Sequence, residues 1–157
     1  MYKRALVPLD GSIVAESVIP FILQVAGPLD LEVTLLSVVV PAPPSAMDAG
    51  PAVIDDAEKQ SAEAEAYLVP FATELRAKGV RVTIAVRRGE PVAEILEGVR
   101  EARADLIIMT THGRTGFGRL LFGSVAEGVL RRADVPVFLM RQTEAQLAAR
   151  SVWQPVR

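Results

Sequence analysis

The chain contains no cysteine, a single histidine, a single tryptophan, and only 5% aromatic residues in all. Without cysteine there is no disulfide framework, no thiolate nucleophile and no cysteine-ligated metal. With one histidine, His112, neither a histidine metal cluster nor a Ser-His-Asp set can be built. His112 reads first as a solvent-facing loop residue. An excess of charge is missing too: 17 Lys and Arg against 19 Asp and Glu leave −2, which argues against nucleic acid as the main partner. No run approaches the ~20 apolar residues that a membrane span needs. The apolar run Ala5 to Leu9 stops at Asp10, too short for a signal peptide. The cytoplasm is the expected compartment.

What remains is 157 residues, 50% of them hydrophobic, enough for one domain with a substantial core. Short apolar runs alternate with longer helical patterns. Residues 4–9 (RALVPL) read as a buried strand that ends in the turn Asp10-Gly11-Ser12. Ser12 is placed to cap a helix running to about Ala26, which Pro20 should kink and Gly27-Pro28 should stop. Residues 31–40 are a second strand, and 41–55, rich in proline and alanine, a long loop. Ala64, Leu68, Phe71 and Leu75 mark one face of a second helix, closed by Gly79, although Pro70 within it breaks the helical rule. Residues 80–86 alternate as a half-exposed strand does. Pro91 opens a third helix, striped by Val92, Ile95, Leu96 and Val99. Residues 106–109 (LIIM) are apolar on both faces, as in a central parallel strand. A glycine-rich loop, a helix through Ala126 to Ala133 and a fifth strand at 135–140 complete the order.

Five strands alternating with four helical patterns predict an α/β fold. The expected form is a doubly wound five-stranded parallel sheet with helices on both faces, Rossmann-like, in strand order 3-2-1-4-5. The domain is expected over residues 1–141, with a polar tail at 142–157 that includes Trp153.

Ligands of such sheets bind at the carboxyl ends of the strands, where the strand order reverses. Two segments fall there: Pro8 to Ser12, and Met109-Thr110-Thr111-His112-Gly113-Arg114 running on to Gly123-Ser124-Val125. Glycines allow close backbone approach, and amides at a helix start favour an anion, so the second segment suits a phosphate. On composition alone it is equally a mobile connection. It is not a P-loop, because Ser124 stands where lysine is needed, nor a dinucleotide fingerprint, because Gly116-Phe117-Gly118 lacks a third glycine. Asp10 by itself reads as a turn residue, Asp55-Asp56 as a complement to a helix dipole, and Arg131-Arg132 as ordinary charge near a helix C-terminus.

Gly113, nine further residues, then Gly123-Ser124 resembles the nucleotide motif G-x2-G-x9-G-[ST] of the universal stress protein family. The flanking run LIIMTTHGRTGFGRLLFGSVAEGVLRRADVPV and the opening KRALVPLDGS are similar to that family as well, so the resemblance spans residues 3–140. It implies an ATP site, with ADP or AMP as alternatives, made by Pro8, Leu9, Asp10, Val38, Met109, Thr110, His112, Gly113, Arg114, Gly123, Ser124 and Val125. Asp10 would contact the ribose or the Mg2+ accompanying the phosphates, and the backbone of Val38 the adenine. Gly113, Arg114, Gly123, Ser124 and Val125 would wrap the phosphates. The sequence departs from the motif at Thr110, which takes the place of its first glycine and is expected to obstruct the site mildly.

Turnover would need a residue to orient water, with cations at the transition state. Arg114 and Arg119 are present, but no evident base apart from His112 or Asp10. The expected function is therefore an ATP-binding regulatory or stress-response module and not an efficient enzyme. A slow ATPase or nucleotidyl-transfer protein, and a structural dimer module with a vestigial site, are the alternatives. Pro136 puts the fifth strand at a sheet edge, while Val137 to Met140 are apolar on both faces. Antiparallel pairing of two copies through this strand would cover it, as the resemblance also implies.

Overall fold

In the computed structural model, residues 1–41, 51–113 and 123–143 are described, with backbone alone at 51–55, 112, 113 and 143. The strands are β1 (Arg4–Pro8), β2 (Glu32–Val39), β3 (Arg81–Arg88), β4 (Leu106–Gly113) and β5 (Val137–Thr143). The helices are α1 (Ile13–Glu16), α2 (Ile19–Val25), α3 (Pro51–Ala77), α4 (Pro91–Glu101) and α5 (Ser124–Arg132). All strand pairings are parallel and the sheet order is β3-β2-β1-β4-β5, as the alternation of elements predicts.

Side-chain alternation along the strands divides the core in two. Ala5, Val7 and Leu9 face one layer with Ile19 and Ile22 of α2 and Leu68, Phe71 and Leu75 of α3. Leu6, Ile107 and Met109 face the other, with Val92, Ile95 and Val99 of α4 and Val129 of α5. Each large aliphatic side chain fully withdrawn from water contributes about 1.5–3 kcal/mol. Leu6, Leu35, Leu36, Ile107 and Ile108 are all in that condition, so the sheet centre carries much of the fold.

The chain after β1 turns to the first layer and the chain after β4 to the second, so a crevice opens between the ends of these two neighbours. Three local readings are corrected. The first helix is broken, not kinked: α1 ends at Glu16 and Pro20 falls in the first turn of α2, where its missing donor costs nothing. The loop expected over 41–55 is helical from Pro51 onward, and residues 42–50 lie outside the described residues. Pro70 stands inside α3, where it frees the carbonyl of Ala66; both residues are exposed, so water can satisfy it.

The third correction bears on the site. β4 does not stop at 109: Thr110, Thr111, His112 and Gly113 continue the strand, paired with Met140, Arg141, Gln142 and Thr143 of β5. His112 is therefore a strand residue and not a loop one. β5 correspondingly runs from Val137 to Thr143 instead of 135–140.

Two caps hold the ends of helices near the crevice. Glu90 accepts from the amides of Val92 (3.1 Å) and Ala93 (2.7 Å) at the start of α4. These bonds hold its carboxyl below the usual glutamate value. Ser12 Oγ accepts from the Ala15 amide (3.1 Å) and caps α1, as its position predicts.

Candidate functional site

A cleft of about 430 Å³ lies at the carboxyl ends of β1 and β4. That is within the usual range for small-molecule sites, roughly 300–1,000 Å³. Its apolar wall comes from Leu36, Val38 and Val40 at the end of β2, Ile95 of α4 and Met109 of β4. Pro8, Leu9 and Asp10 follow β1 on a second side, and Gly123 to Ala126 form the third.

The third side is the start of α5. Gly123 is its N-cap, and with no side chain it supplies no capping oxygen. Glu127 is the first residue whose amide bonds back, to the Gly123 carbonyl at 3.0 Å. The amides of Ser124, Val125 and Ala126 precede it and have no acceptor within the helix. A Cβ on Gly123 would meet none of the described residues within 4 Å. Donors with no acceptor inside the helix, at the positive end of its nine residues, favour an anion.

Opposite stands the turn carrying Asp10. Gly11 has φ +82°, a conformation that glycine adopts without penalty. Asp10 Oδ1 accepts from the Ser12 amide (3.0 Å), and the Gly11 amide donates to Tyr67 Oη (3.2 Å). Tyr67 in turn donates to Glu16 Oε1 (3.0 Å). Burial, with the charge and hydrogen bond of Glu16 beside it, pushes the Tyr67 phenol well above its ordinary range. The phenol therefore keeps its proton at any physiological pH.

The two threonines of β4 point to opposite layers. Thr110 Oγ1 donates to the carbonyl of Val14 in α1 at 2.8 Å, across the first layer. Thr111 also lines the cleft, is 3% exposed, and its hydroxyl finds no partner among the described residues.

Of the residues implicated from sequence, Pro8, Leu9, Asp10, Val38, Met109, Thr110, Gly123, Ser124 and Val125 share this cleft. His112 and Gly113 lie further along β4, and Arg114 lies outside the described residues, as does Arg119. Sequence reasoning missed Leu36, Val40, Ile95 and Thr111, which also line the cleft. The apolar ends of β2 and α4 were visible, but their convergence depends on strand order. It also missed Tyr67, for which no local signal exists. Among the described residues no three His, Asp or Glu side chains come together to hold a metal, and Asp10 is the one carboxylate lining the cleft. No helix among them is long and apolar enough to cross a membrane.

Residues 1–141 match the universal stress protein family. A universal stress protein of Methanocaldococcus jannaschii, MJ0531, is 31% identical over 146 residues, covering 93% of this chain and 86% of the relative. The solved structure of MJ0577 from the same organism aligns with a TM-score of 0.75 and 28% identity, over 90% of this chain and 97% of that one. A universal stress protein family member of Arabidopsis thaliana, solved with AMP bound, has the same fold with a TM-score of 0.63 at 18% identity, over 92% and 94% of the two chains.

Proposed function

The chain belongs to the universal stress protein family, and on that premise we propose that its cleft holds an adenine nucleotide, ATP in the first instance, as a regulatory stress-response module without efficient turnover. The observation that carries this reading is the uncapped start of α5 facing the cleft across from Asp10. Phosphates would lie against the amides of Ser124, Val125 and Ala126, with the Ser124 hydroxyl nearby. Val38, Val40, Ile95 and Met109 offer an apolar wall for the base. Asp10 would take the ribose hydroxyls or a Mg2+ accompanying the phosphates. One carboxylate suits Mg2+, which keeps several waters and is commonly held through substrate phosphates.

Among the described residues lining the cleft, Asp10 alone is titratable, and it already accepts a hydrogen bond from its own turn. An acid extract of the purified protein, analysed for adenine nucleotides, tests the reading. ATP, ADP or AMP in the extract, without sustained phosphate release, is the expected result. Sustained release of phosphate would make the protein a slow ATPase. No nucleotide in the extract and none bound on titration would leave a module without a working site.

We further propose a homodimer joined through β5 in the cytoplasm. The strand is at the sheet edge, and Phe138, 42% exposed, stacks on Phe21 at 4.8 Å between ring centroids. An apolar edge of this kind is best covered by a second strand.

A further inference from the structure

We propose that Tyr67 of α3 is a positioning residue for the nucleotide, acting through Asp10. The inference rests on the reading that the cleft holds an adenine nucleotide. Asp10 sits in a three-residue turn with only one internal side-chain bond, from the Ser12 amide to its Oδ1. An exposed turn containing glycine at φ +82° has little of its own to fix it. Tyr67 supplies the missing anchor. Its Oη accepts the Gly11 amide at 3.2 Å and donates to Glu16 Oε1 at 3.0 Å, joining α3 to both sides of the turn. The directions of these bonds are settled, since the amide can only donate and the carboxylate can only accept. The neutral phenol does both at once, and its raised proton affinity keeps it so. The ring is held independently, edge-on to Phe71 at 5.4 Å between centroids. Phe71 is itself in the core. The turn is thus referenced to the rigid layer of the fold and not to its own loop, and preorganisation of this kind raises affinity by removing an ordering cost at binding.

The test is a thermodynamic cycle of Tyr67→Phe and Asp10→Asn, read by calorimetric titration of ATP with Mg2+ into nucleotide-stripped protein. Tyr67→Phe keeps the ring and removes only the two hydrogen bonds. It should weaken binding by about tenfold in the wild-type background. In the Asp10→Asn background it should change binding less than about twofold, because the group it positions is already impaired. Equal losses in both backgrounds, or no loss in either, overturn the proposal while leaving the nucleotide reading intact. A wild-type protein that binds no adenine nucleotide overturns both. Should Tyr67→Phe fold poorly by circular dichroism, Glu16→Ala removes the second anchor of the same hydroxyl and should show the same non-additivity; additive losses there also overturn the proposal.

Discussion

Thr110 was expected from its sequence position to crowd the nucleotide site, and the structure gives its hydroxyl a different task. Oγ1 donates to the Val14 carbonyl at 2.8 Å and tethers the end of β4 to α1. That carbonyl also receives the Ser17 hydroxyl at 2.6 Å, so removing Thr110 does not leave it orphaned. Thr110→Val, which keeps the branched bulk, should then cost only the net value of one hydrogen bond, about 0.5–1.5 kcal/mol. Thr110→Gly adds the entropy of glycine in a strand, about 0.5–1 kcal/mol more. Urea denaturation of the two variants and the wild type would measure both steps. Binding separates the second effect, because both variants lack the tether and only glycine makes room. ATP should bind Thr110→Gly more tightly than Thr110→Val by up to about tenfold, or ~1.4 kcal/mol. A Thr110→Val protein as stable as wild type would refute the tether. Equal ATP affinity in the two variants would refute the claim that the side chain narrows the site.

Gly123→Val should abolish nucleotide binding with little change in melting temperature: φ −60° and ψ 153° suit any residue, and the new side chain would meet none of the described residues within 4 Å. Titration and thermal melting together check this, and loss of binding accompanied by a large drop in melting temperature would mean general damage instead. Thr111→Val should raise the stability by about 1–3 kcal/mol, since it removes a buried hydroxyl with no partner among the described residues. A lower urea midpoint for this variant would show that the hydroxyl is satisfied after all. Phe138→Lys should shift the mass in solution, read by light scattering, from dimer to monomer, and a wild-type protein already monomeric at micromolar concentration would sink the pairing through β5.

What could be read from the sequence follows a physical division. Strand order was legible because strands alternating with helices and joined by right-handed crossovers leave few topologies, and LIIM at 106–109, apolar on both faces, marks β4 as an inner strand, as the sheet order has it. The start of α5 was legible because it is local: a glycine followed by serine at a helix start reads the same in any fold. The end of β4 was not. Thr110 and Thr111 suit a strand, but His112 and the glycine-rich run after them read as a loop; the strand extends this far where Met140 to Thr143 pair with it. The same holds for Tyr67, whose hydroxyl meets a turn more than fifty residues earlier in the chain. Its position in the helix period marks it as flanking the apolar face and says nothing of what the hydroxyl touches. A site made of backbone amides can therefore be proposed from a short motif. The side chains that hold such a site rigid are drawn from wherever the fold brings them, and here the anchor of the Asp10 turn comes from α3, an element that carries no part of the motif.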